Sequence, residues 1–197
     1  MPLEQLLDSV EVSNSMREFE FIGEVVQLLQ EQQIPPEQYV VRMNTNLHYQ
    51  IIADNYLNIT ADLKNPKRGD YAFQTDLCIF LKKEKSILQK QDILPPKIVF
   101  EFKEKLTSHD VITYSNKARR HKRIYPYLRY GIICYGLWSI PKRFFIHNKA
   151  LDFCLATAED PKFRLEMLRK LIEEELEISN MLESTIFGHK AGHHTVT

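Results

Sequence analysis

Two apolar runs in this chain carry charge where an apolar strand should hold none. Phe73-Gln74-Thr75-Asp76-Leu77-Cys78-Ile79-Phe80 surrounds Asp76, and Ile98-Val99-Phe100-Glu101-Phe102-Lys103 carries Glu101 and Lys103. Apolar residues on both sides of the charge predict strands that are central in a sheet and covered on both faces. A buried carboxylate costs several kcal/mol unless it is paired or coordinates a cation. Three such charges on two neighbouring strands therefore point to a site. Glu101 and Lys103 are two residues apart and share one face, whereas Phe100 and Phe102 take the other and can pack under a helix. The competing reading makes Glu101 and Lys103 a cross-strand ion pair on a solvated face.

The remaining pattern supplies the setting. Ser15 to Gln33 reads as a helix, with Met16, Phe19, Ile22, Val25, Val26 and Leu29 on one face. Tyr39–Asn44, His48–Ala53 and Tyr56–Lys64 read as strands, and residues 65–70 as a turn. Tyr71–Leu81 and Lys97–Glu104 are the two charged apolar runs extended. Ser108–Tyr125 reads as a helix entered through Thr107 or Ser108 and stopped by Pro126. Tyr130–Tyr135 is a short strand, Arg143–His147 and Ala150–Ala156 suit a hairpin, and Asp160–Leu182 is a long helix. This order predicts an α/β domain, a central mixed β-sheet flanked by helices. One domain is expected over residues 1–188, followed by a disordered tail at 189–197.

Charge narrows the partners. The net charge of the 197 residues is zero, yet Thr60 to Lys149 holds 19 basic and 8 acidic residues. Met1 to Ile59 holds 2 and 9, and Leu151 to Thr197 holds 5 and 9. Such segregation predicts a positive face suited to a polyanion, of which nucleic acid is the commonest; mutual neutralisation of the segments within the fold is the alternative. Cys78, Cys134 and Cys154 lack zinc-ligand spacing and read as reduced thiols of a cytoplasmic protein. No apolar run approaches the roughly 18 residues that a membrane span needs, and Met1–Val10 does not read as a signal peptide. The chain has no GxxxxGK[ST] phosphate loop, so nothing supports a motor or helicase.

Asp76, Glu101 and the backbone carbonyl of Phe102 make an all-oxygen set suited to a hard cation, with Lys103 able to position water and stabilise charge on a phosphate. Thr75-Asp76 followed 25 residues later by Glu101-Phe102-Lys103 resembles the signature of the PD-(D/E)XK nuclease superfamily. The likeness runs from about Ser15 to Tyr135, and Thr75 stands where the family pattern has proline. It implies a restriction-endonuclease-like fold and DNA hydrolysis dependent on Mg2+ (or Mn2+) that leaves a 5′-phosphate. It further suggests Glu18, on the first helix, as a third acidic group. The alternative for Glu18 is a capping box with Ser15. On the helix after the motif, Lys117 is the candidate catalytic polar residue, with Tyr114 beside it. Arg119, Arg120, Lys122 and Arg123 would hold phosphates; a solvated basic helix face is the rival reading. The chain is expected to be a type II restriction-like endonuclease acting as a homodimer, because one active site cuts one strand. A structure-selective resolvase or repair nuclease is the alternative, as is a non-catalytic nucleic-acid-binding protein on the same fold.

Overall fold

A computed structural model of the chain describes residues 20–27, 38–56, 66–67, 71–82, 94–157 and 161–188. Residues 20–27 are helical (α1), followed by β1 (Tyr39–His48), β2 (Ala72–Leu81) and β3 (Pro96–Lys103). Then come α2 (Ser108–Lys122), β4 (Arg129–Cys134), α3 (Lys142–His147), β5 (Phe153–Ala156) and α4 (Pro161–Phe187). The five strands form one mixed sheet in the order β1-β2-β3-β4-β5. β1, β2 and β3 are antiparallel neighbours, and β4 and β5 run parallel to β3. The molecule is thus an α/β fold.

The charged apolar runs become β2 and β3, and both are central. Alternation on β3 divides its side chains between two layers. Ile98, Phe100 and Phe102 lie in a core with Phe21 and Val25 of α1 and Leu168, Ile172 and Leu176 of α4. Val99 lies in the other core, with Val111 and Ala118 of α2 and Phe144 of α3. Phe102 meets the Phe21 ring edge-on at 5.7 Å. Glu101, next to Phe102, therefore belongs to the α2 side. The close approach of β4 and β5 depends on Gly131, where a Cβ would sit 2.2 Å from the Phe153 ring.

Several expectations are revised. The strands predicted at Tyr39–Asn44 and His48–Ala53 are one strand as far as His48, followed by irregular chain. The polar stretch Asn44-Thr45-Asn46 suggests a break, yet it stays in register with Thr75 and Gln74 on β2. Asn44 adopts φ 49°, a left-handed conformation that asparagine tolerates. The alternation of β1 changes phase across it. Val40 packs on the α2-side core and Val41 on the other, whereas Leu47 belongs to the α2 side. Arg143–His147 is a helix rather than a hairpin strand, and only Phe144 of its apolar trio is buried. β5 pairs parallel to β4, which requires a crossover, and α3 lies within it. α2 stops at Lys122, before Tyr125. On α1, Phe21 is a core residue that the predicted apolar face omits. Glu18, most of the predicted strand Tyr56–Lys64 and residues 189–197 lie outside the described residues.

Candidate active site

The site forms where β2 parts from β3. Their backbone pairing runs from Ile79↔Ile98 to Leu77↔Phe100, and one further step sets Asp76 opposite Glu101. There the Asp76 side chain takes over: its Oδ2 accepts the Phe102 N–H at 2.8 Å. The opposite β1 position is Asn44, where the left-handed turn falls. Successive strand residues alternate the direction of their backbone polar groups. The Lys103 carbonyl accepts from Tyr135 N–H on the β4 side, so the Phe102 carbonyl points with its N–H towards β2 and Asp76.

Glu101 is 1% exposed. Its Oε1 accepts from the Tyr130 hydroxyl on β4 and from Lys117 Nζ on α2, the latter at 3.2 Å. Burial, and then the neighbouring Asp76 charge, push its carboxyl up to about 8. Lys117 and the Tyr130 hydroxyl pull the other way without cancelling this. Lys117 Nζ also donates to the Gln74 carbonyl at 3.2 Å. Both lysines approach Tyr114: Lys103 Nζ lies 5.5 Å and Lys117 Nζ 4.9 Å from its ring centre. Burial first, and then Glu101, raise the Tyr114 phenol to about 12, so it stays neutral. Behind Lys117, His121 is buried, and burial pushes its ring down to about 3. It is a neutral filler near Tyr130, 5.6 Å between ring centres.

The pair Asp76 and Glu101 suits a hard cation. Burial first, and the neighbouring Asp76 charge second, favour the protonated Glu101, and a bound cation would reverse that balance. Among the described residues, Asp76 Oδ1 and Glu101 Oε2 have no hydrogen-bond partner, and no further His, Cys, Asp or Glu completes a cluster of three. Two carboxylates and a carbonyl, with water in the other positions, is a set that magnesium accepts.

The basic run on α2 divides in two. Arg119, Arg120 and Arg123 are exposed. The Arg120 guanidinium lies over the stacked rings of Tyr49 and Phe73, at 5.4 and 5.8 Å. Lys122 faces inward instead. Its ammonium binds Asp152 at 2.6 Å and the Ala150 carbonyl at 2.8 Å. The structure thus brings Asp76, Glu101 and Lys117 together, with Lys103 near the Tyr114 ring, and leaves Lys122 in a separate ion pair. Tyr130 is a further site residue, one that the sequence offers only as the start of a short apolar strand. Its only signal is a tyrosine amid an apolar strand, since a buried hydroxyl needs a partner.

No protein-family model matches the chain, and no curated protein matches it either. No helix among the described residues is long and apolar enough to cross a membrane.

Proposed function

We propose that this chain is a metal-dependent DNA endonuclease on a restriction-endonuclease-like fold, with Asp76, Glu101, Lys103 and Lys117 at its centre. One observation carries the reading. A buried carboxylate beside a second carboxylate meets the Lys117 ammonium at 3.2 Å, with Lys103 near the Tyr114 ring, at the point where two central strands separate. A domain that needed only stability would replace such a group with an apolar one at little cost.

Asp76, Glu101 and the Phe102 carbonyl would hold Mg2+ or Mn2+, which polarises a phosphodiester and lowers the pKa of bound water. The protein's own groups then have separate tasks. Tyr130 and Lys117 fix the Glu101 carboxyl from two sides. The Phe102 N–H fixes Asp76. Lys103, half-buried beside the Tyr114 ring, supplies positive charge as the phosphate becomes more negative. Arg119, Arg120 and Arg123 hold the neighbouring backbone. A homodimer would present two such sites to the two strands. The three free cysteines suit the reducing cytoplasm.

Incubation with plasmid and with branched DNA, in Mg2+ and in EDTA, tests the proposal. Cleavage in Mg2+ or Mn2+ alone is expected, with Ca2+ supporting binding only. Cuts at fixed plasmid sites indicate a restriction-type enzyme, and preference for the branch indicates a junction or repair nuclease. Absence of cleavage in both metals, with DNA still bound, would mark a binding protein and overturn the reading.

A further inference from the structure

A cavity of about 330 Å3 lies between α2 and the end of α3. Its cations are Arg119 and Lys149, with His147 beside them, and its apolar lining is Ile112 and Ile146. No Asp or Glu among the described residues lines it. Among the described residues, none of the three basic groups forms an ion pair. The contrast with Lys122 is direct, because Asp152 neutralises that ammonium within the fold. The cavity is built rather than incidental. Ser115, buried in α2, accepts the Lys149 backbone N–H at 2.8 Å, and Asn116 Oδ1 accepts from Arg119 at 3.2 Å. Ile112 and Ile146 nonetheless remain 45% and 70% exposed beside these cations.

Uncompensated cations next to open apolar surface match a ligand that is anionic at one end and flat and apolar at the other. The volume falls at the lower end of the roughly 300–1,000 Å3 typical of small-ligand sites. Ile112, Asn116 and Arg119 form one stripe of α2, whereas Tyr114, Lys117 and His121 form the next, which faces Glu101. The cavity is therefore on a different side of the helix from the carboxylates. We propose that it is a nucleotide subsite, with a phosphate between Arg119 and Lys149 and a base against Ile112 and Ile146. The nucleotide is either free or part of a strand that crosses α2. Arg119 is shared with the proposed DNA-binding face, whereas the cleavage chemistry plays no part here.

The test is methyl NMR of the full chain in EDTA, with adenosine monophosphate and a short single-stranded oligodeoxynucleotide as probes. The Ile112 and Ile146 methyl signals should shift. A response to the mononucleotide identifies a free-nucleotide site, and a response to the oligonucleotide alone identifies a strand subsite. In Arg119→Gln/Lys149→Gln, whose side chains are exposed and whose melting temperature should match the native one, the affinity should fall about tenfold. No shift with either probe, or shifts of undiminished affinity in the variant, would overturn the proposal. Binding without cleavage still supports the subsite, and an empty cavity leaves the cleavage reading untouched.

Discussion

Burial, and then the Asp76 charge, push the Glu101 carboxyl from an ordinary 4.5 up to about 8 in the folded chain. The folded state therefore holds this proton more tightly than the unfolded one. The resulting stability is fully present below about 4.5 and is lost as pH rises through 8. Glu101→Gln imitates the protonated acid, so its melting temperature in EDTA should exceed the native one increasingly from pH 5 to 9. Two parallel melting profiles would count against the buried carboxylate. Tyr130→Phe removes the hydroxyl that holds Glu101 without opening a large cavity. Cleavage should slow about tenfold, in line with a hydrogen bond to a charged group, while the fold survives. An unchanged single-turnover rate would reduce Tyr130 to packing. Asp76, Glu101 and Lys103 are legible in the sequence because charge inside an apolar run needs a reason. Lys117 is legible from its place in the basic run of the following helix. Tyr130 is not, because its contact with Glu101 depends on the β3/β4 register, which pairs Glu101 with Ile132 and makes Tyr130 a diagonal neighbour.

Among the elements, α4 is tied to the sheet by charge as well as by its apolar face. Lys97 on β3 is 0% exposed and pairs with Glu183, which retains 22% exposure. Arg129 on β4 binds both Glu175 of α4 and Asp152. The Lys97–Glu183 pair is asymmetric, and so are the consequences of breaking it. Glu183→Ala strands a buried ammonium and should cost roughly 3 kcal/mol, whereas Lys97→Met leaves a carboxylate that can reach water and should cost much less. Urea unfolding of the two variants checks this, and equal losses would contradict it. The long helices are legible from their caps and apolar faces, and the central strands from apolar runs that continue on both sides of a charge. The misread pieces are short. Arg-Phe-Phe-Ile-His has the composition of a strand, but its place in the crossover to a parallel strand makes it helical. Asn44 looks like a strand end because a left-handed residue inside a paired strand leaves no periodic trace.

At the scale of the whole molecule, α2 and α4 set charge of opposite sign on the two sides of one sheet. α2 exposes Arg119, Arg120 and Arg123, and α4, on the other side, exposes Glu173, Glu174 and Glu177. The sequence shows the imbalance, whereas the partition between faces depends on how the helices cross the sheet. If α2 faces the backbone of DNA, replacing the three arginines with Gln should weaken binding and lower the salt slope by about three counterions. A slope identical to the native one would place DNA elsewhere. Lys122→Gln should instead lower the melting temperature, since it breaks the contact with Asp152. On the proposed function, Lys103 works on the transition state rather than holding the fold together. The most direct test is the single-turnover cleavage rate of Lys103→Ala in Mg2+, measured beside its melting temperature. A rate lower by about 10²–10³ at an unchanged melting temperature is expected. A destabilised Lys103→Ala that still cuts at the native rate would contradict the account.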